Sequence, residues 1–445
     1  MIVIVLLSVL FVAGSLLFMW AWHRPGWIIF VTITISAVLE LLQVGVDGMH
    51  LGIFGVNLLV GDAATIFLLG TSLLLLYQYH TSFPRDTLPC LALLALLTLS
   101  FGRGLSTFAH QAAEDGVRDQ LIFATPALAI MLARPAFQLD TIRLARWFSW
   151  AGFCLAAIAL FRWAGLLPIP VELNDSLREV VRSLPSNYAV IVGQAFIAAI
   201  YLQLVERRSA WWWAGAGVLG MLTFALQHRS VWVATAGGLA WLVLRTARLW
   251  SSRWQGFAAV AGVILCVIMV AAPMGLLEPM RKMATTNVQE VQSKNSTWAW
   301  RVDGYKEATT RLLSSGPVDM LIGPPSGWEE YTTASFAATH IHSKYVETLA
   351  YSGIVGFICL ILWFWMLAKR VSLTTSAHYG TAFLEALLIS ELLYLVPYFG
   401  GVLQGTTLGL IWVAAKHNNI SNSAARATLA KHEFDRSNKP MTAPS

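Results

Sequence analysis

Charge is what this chain has least of. Of its 445 residues only 12% are Asp, Glu, Lys or Arg, and 57% are hydrophobic, with a mean hydropathy of +0.63. A soluble domain carries roughly a quarter charged residues, so an ordinary soluble fold is excluded and a polytopic membrane protein is expected. Cysteine is nearly as scarce. Cys90, Cys154, Cys266 and Cys359 all lie inside apolar runs without CxxC spacing. They read as packing, which excludes a disulfide framework and a thiolate metal site. No basic segment precedes the first apolar run, so residues 2–21 read as a span and not as a cleavable leader. Walker and Gly-rich dinucleotide patterns are missing, which excludes a nucleotide-binding domain. The stretch VGVDGMHLG offers a lone Asp47 in place of a metal-holding carboxylate pair, so neither a metal nor a cofactor is expected. The net charge is +6, yet no basic run is dense enough for nucleic acid. Anionic lipid or an anionic substrate fits that charge better.

Apolar runs are abundant. They lie at about 2–21, 27–44, 57–78, 88–102, 120–134, 144–165, 187–204, 211–227, 230–246 and 256–275, with three more near 344–368, 379–396 and 400–415. Several are short against the roughly 20 residues that a bilayer requires. The expected fold is all-α: a polytopic transmembrane helix bundle of about 12–13 spans with one large outer loop containing short helices. It divides into N-terminal transmembrane helices at 1–275, the loop at 276–342, C-terminal transmembrane helices at 343–415 and a polar cytoplasmic tail at 416–445. The 19 tryptophans often stand near the ends of runs, as interfacial anchors do. Basic connectors at Arg134, Arg143 and Arg146, at Arg207 and Arg208, at Arg245, Arg248 and Arg253, and at Lys369 and Arg370 alternate as cytoplasmic. That puts 103–119, 166–186, 276–342 and the tight turn Gln227–Ser230 outside.

The chain is organised around AATHIHSKYVETLAYSGIVG, residues 337–356, where the large polar loop meets an apolar run. Ser343 suits a helix N-cap. His342 then lies against a helix N-terminus, whose positive end favours the neutral ring, so His342 is a candidate proton acceptor. The alternative is a loop histidine that caps a helix. Within the loop, WRVDGYKEATTRLL (residues 300–313) has helical spacing, and LIGPPSGW is the turn that should end that helix. Arg229 opens a span at the outer turn and Arg301 lies on the loop helix. Each could present a planar fork to phosphate oxygens. Arg229 could equally snorkel to the interface, and Arg301 could pair with Asp303 or Glu307. His340 and His342 form an H-x-H pair with no further ligand at sensible spacing, so no metal site is expected there. Arg182 precedes a Ser-Asn helix start, where Asn187 suits an N-cap.

His342-Ser343, nine residues, Gly353, two residues and Gly356 together resemble the histidine motif of the O-antigen ligase and polymerase superfamily of bacterial envelope enzymes. In ligases of that family one arginine opens a span on the outer side and a second lies in the large loop before the histidine. Arg229 and Arg301 match both in order and context, and Arg182 resembles a further family segment. The resemblance implies a metal-independent, inverting glycosyltransferase of the inner membrane with its active site facing the periplasm. Its implied partners are the lipid bilayer, a glycan donor on undecaprenyl diphosphate and a lipid A–core acceptor, with no nucleotide and no nucleic acid. His342 would be the catalytic base, and Arg229 and Arg301 would hold the diphosphate; His340 and Arg182 are secondary candidates. The alternatives within the superfamily are an O-antigen or exopolysaccharide polymerase, for which Arg182 and Gly193 have suitable spacing, and a protein O-oligosaccharyltransferase. From another class, Glu40, Asp62, Glu385 and Glu391 in or near apolar runs would suit a lipid-linked glycan flippase or a secondary transporter.

Overall fold

The computed structural model describes residues 25–42, 51–53, 56–58, 84–108, 110–134, 139–167, 183–206, 211–246, 297–327, 341–372 and 379–416, with short pieces between them. The expected spans at 2–21 and 256–275, Asp47, Asp62, Cys266 and the tail beyond 416 lie outside the described residues. The helices are α1 Pro25–Leu42, α2 Leu88–Thr107, α3 His110–Leu132, α4 Thr141–Trp163, α5 Ser186–Glu206, α6 Trp211–Ala225 and α7 Arg229–Thr246. Then come α8 Thr297–Ser314, α9 Pro317–Ile322, α10 Lys344–Ser372, α11 Tyr379–Tyr394 and a last helix, α12, at 402–416. Among the described residues four helices are long and apolar enough to cross a membrane: Arg85–Thr107, which includes α2 and the 3-10 turn before it, α4, α5 and α10. The all-α polytopic architecture is therefore present. Its only strands among the described residues are two short antiparallel ladders, Leu51–Ile53 with Val56–Leu58 and Asn174–Asp175 with Val180–Val181.

Local chemistry sets several boundaries. Asp140 holds an extended backbone and its carboxylate accepts from Arg143 N at 2.7 Å, which caps α4. Pro317 opens α9, where its missing N–H costs nothing, and Gly323 closes it at φ 85. Three expectations need correction. α3 begins at His110 and not near 120, so the outer loop expected at 103–119 is mostly helix; a helix can extend beyond the bilayer once its backbone bonds itself. α8 ends at Ser314, before Gly316 and Pro317, so LIGPPSGW closes α9 instead. Ser186 opens α5 and the carbonyl of Pro185 accepts the first helical bonds, so Asn187 lies inside the first turn and is not the N-cap.

α5 is the axis of the described bundle. Its apolar window is 83% buried, against 39% for the window in Arg85–Thr107, which suits a sequence apolar on all sides. It packs on α4, α6, α7 and α11. Close approach relies on small residues: Gly193 sits against Thr235, and Gly238 against Ala386 O and Ser390. The described residues of the basic connectors gather at one end of the bundle. There Arg146 binds Glu206 at 2.6 Å, and Glu385 accepts from Arg245 Nε and Trp241 Nε1, both at 2.8 Å. Arg134, Arg370 and Lys416 surround the Trp412 ring, and Arg370 also pairs with Asp86. At the opposite end Arg162 donates to Ser183 O at 2.7 Å and Leu41 O at 2.6 Å, while His228 Nε2 donates to Leu184 O at 2.8 Å.

Candidate functional site

α10 is broken. Gly353 has φ 64 and ψ −168 inside an otherwise helical stretch, a conformation that only glycine adopts without strain. The backbone of α9 fills the space beside the break. A Cβ on Gly353 would stand 2.5 Å from Gly323 N and from Leu321 O, and one on Gly323 would run into Tyr351 O. α2 clamps the same segment. Arg103 Nη1 donates to Gly323 O at 2.7 Å and its other terminal nitrogen pairs with Asp319; Ser100 Oγ donates to Pro324 O at 2.8 Å and Ser326 N donates to Ser100 O at 3.1 Å. Gly356, the last residue of the histidine motif, lies against the Ser352 side chain.

Above the break, the upper half of α10 starts where expected. Ser343 precedes its first residue, and Ser343 O accepts from Glu347 N at 2.7 Å. Lys344 N donates to both Leu395 O (3.1 Å) and Tyr398 O (3.0 Å), which ties this start to the turn after α11. The Lys344 ammonium is fully buried, 2.9 Å from Glu347 Oε2 and 4.7 Å from the centre of the Phe123 ring. His342 is half-buried and stacks on Phe399 with ring centres 5.7 Å apart. It also meets the edge of Tyr398 at 6.5 Å. Tyr398 stacks in turn on Tyr394, whose hydroxyl bonds Ser186 on α5. The turn after α11 thus presents an aromatic ledge beneath His342.

Arg301 reaches the same ledge from α8. Its guanidinium lies 4.9 Å over the Tyr398 ring, and Nη1 donates to Pro397 O at 3.4 Å. The carboxylates that could have paired with it are engaged elsewhere on α8. Asp303 meets Lys306 at 3.5 Å and Glu307 meets Arg311 at 2.8 Å. Arg301 and His342 are therefore brought together through Tyr398. Arg229 stands at the same end of the bundle as the first, half-buried residue of α7, beside His228. It is placed by the packing of α7 on α5 and α11. Arg182 and His340 lie outside the described residues. Of the acids considered as ion-pathway markers, Glu385 is held by Arg245 and Trp241, and Glu391 accepts from Gln194 Nε2 at 2.6 Å.

Sequence reading missed Tyr398, Phe399, Tyr305 and the Lys344–Glu347 pair. Tyr398 and Phe399 fall between two apolar runs, where aromatic residues ordinarily signal a membrane interface.

A bundle of apolar helices with described residues of its basic connectors at one end, and an arginine–histidine–aromatic cluster at the other, defines a polytopic membrane protein. The cluster follows the helix pair α8 and α9 and opens the broken helix α10. Residues 214–361 match the family model described as O-antigen ligase, which supports the resemblance to the O-antigen ligase superfamily. The match runs from α6 into α10 and includes Arg229, Arg301, His340, His342, Ser343, Gly353 and Gly356. No match was found among curated proteins.

Proposed function

We propose that this chain is an O-antigen ligase that transfers polysaccharide from undecaprenyl diphosphate to a sugar hydroxyl of the lipid A–core at the periplasmic face of the inner membrane. What best supports this reading is that Arg301 and His342 share the Tyr398–Phe399 ledge while Asp303 and Glu307 are committed to other cations. His342 takes the proton of the acceptor hydroxyl as its oxygen attacks the anomeric carbon, a general-base contribution of about 10²–10⁴-fold. The bond from that carbon to the diphosphate breaks with inversion, and undecaprenyl diphosphate leaves with the electron pair. Arg229 and Arg301 stabilise the charge that develops on it. The imidazolium then returns its proton to periplasmic water.

Lipopolysaccharide from cells with and without the gene tests the reaction. A ligase leaves core without polymer while polymer still accumulates on the carrier, and a polymerase shortens the polymer on the carrier itself. The roles are tested by single-turnover transfer in nanodiscs. His342→Gln should stop transfer while donor affinity stays within about twofold, because glutamine hydrogen-bonds but does not accept the proton. Full activity in His342→Gln would remove the base assignment.

A further inference from the structure

Two donors on α8 are buried without an acceptor. Arg301 Nε and Tyr305 Oη make no hydrogen bond among the described residues, and both atoms are shut off from solvent. The two residues are one helical turn apart, so they share a face of α8. The ring of Tyr305 is accounted for, because it packs on the small cluster of Ala308, Ile341 and Ala350. Ile341 is the residue before His342, so the cluster that holds the ring of Tyr305 adjoins the histidine in the chain. Packing explains the ring and leaves the hydroxyl unexplained. A buried, unsatisfied hydroxyl destabilises a fold, and phenylalanine would supply the same ring without that cost. Burial raises the Tyr305 phenol above its ordinary range more strongly than neighbouring Arg301 lowers it. It therefore keeps its proton and acts as a donor.

We propose that Tyr305 is a substrate-contacting residue whose hydroxyl, together with Arg301 Nε, donates to an anionic oxygen of the lipid-linked diphosphate. The proposal rests on the ligase reading and assigns it a further residue: Arg301 supplies charge and one donor, Tyr305 a second donor from an adjacent turn. Two convergent donors fix where the oxygen sits, which a single cation over an aromatic ring does not do. The site favours an oxyanion over a sugar hydroxyl, because the guanidinium only donates and the unpartnered phenol adds a second donor beside that positive charge.

Tyr305→Phe deletes one atom and keeps the ring. Three quantities test it on the full chain in nanodiscs: affinity for undecaprenyl diphosphate, single-turnover transfer rate, and thermal midpoint. A hydrogen bond to a charged group accounts for about tenfold or more in affinity, so undecaprenyl diphosphate should bind Tyr305→Phe about tenfold more weakly. Undecaprenol, which lacks the phosphates, should bind equally to both proteins. The thermal midpoint should stay level or rise, since an unsatisfied buried hydroxyl has been removed. Unchanged affinity and rate in Tyr305→Phe, beside a clear loss in Arg301→Ala, would overturn this proposal and leave the ligase reading intact. Unchanged behaviour in Arg301→Ala as well would overturn the ligase reading's use of that arginine. A lowered midpoint with equal loss for undecaprenol and undecaprenyl diphosphate would make the hydroxyl structural and also overturn the proposal.

Discussion

Replacing Gly353 by alanine adds one methyl group at the break in α10, and its cost can be worked out. The position has φ 64 and ψ −168, where a residue with a Cβ is strained by about 1–3 kcal/mol. The new carbon would also stand 2.5 Å from Gly323 N and Leu321 O. These are backbone atoms, so no rotamer change relieves the contact, and overpacking adds about 1–3 kcal/mol. The sum, about 2–6 kcal/mol, is a large fraction of the 5–15 kcal/mol that holds a domain together. Two glycines serve as controls. At Gly356 the obstacle is the Ser352 side chain alone, so Gly356→Ala should cost less, and adding Ser352→Gly should restore most of the loss. At Gly102 nothing lies within 4 Å, so Gly102→Ala should be neutral or stabilise by up to about 1 kcal/mol through helix propensity. The assay is the thermal midpoint and transfer rate of each variant in the same detergent. In Gly353→Ala the upper half of α10, which follows His342 directly, must shift against the ledge. A misplacement of about 1 Å can lower the rate by roughly 10²-fold. If Gly353→Ala matched Gly102→Ala in both measurements, the broken-helix argument would be refuted.

The other predictions concern charge and topology. Lys344→Met leaves Glu347 buried without its cation and should cost about 3–5 kcal/mol, while the pair Lys344→Met with Glu347→Gln should recover most of that on thermal unfolding. Lysine at Arg229 or Arg301 should restore only part of the transfer lost on alanine substitution, because an ammonium cannot make the bidentate contact; complete rescue in single-turnover assays would argue for charge alone. Cysteines introduced at Ser296 and Ser437 should differ in intact spheroplasts, only the first reacting with an impermeant maleimide, and equal labelling would remove the periplasmic assignment of the loop. Purified enzyme should transfer glycan in excess EDTA, and activity that vanished there and returned with magnesium would sink the use of arginines in place of a metal.

Much of this was legible in the sequence, because apolar length and basic connectors report directly on a bilayer. The starts of α10 and α7 fell where His342-Ser343 and Arg229 suggested. Two kinds of feature were not legible. Gly353 stands out in the sequence only as a motif position, and its break in the helix is hidden there because the backbone angle depends on α9 arriving beside it. The partner of an isolated charge is equally hidden. Arg301 has two acids within reach on its own helix, and only the fold reveals that Lys306 and Arg311 occupy them. Glu391 looked like an ion-pathway residue for the same reason, until Gln194 appeared opposite it.

The bifurcated hydrogen bond from Lys344 N to Leu395 O and Tyr398 O has a consequence for biogenesis. His342 and Arg301 leave the ribosome well before Tyr398 and Phe399, the residues on which they rest. Chains enter the membrane from the N-terminus, and earlier segments settle first. A nascent protein whose α10 has inserted but whose α11 has not therefore holds its histidine and its loop arginine with nothing to bring them together. On the proposed reading, insertion of α11 and the turn behind it is the step that completes the site, so a half-made chain should not act on lipid-linked sugar.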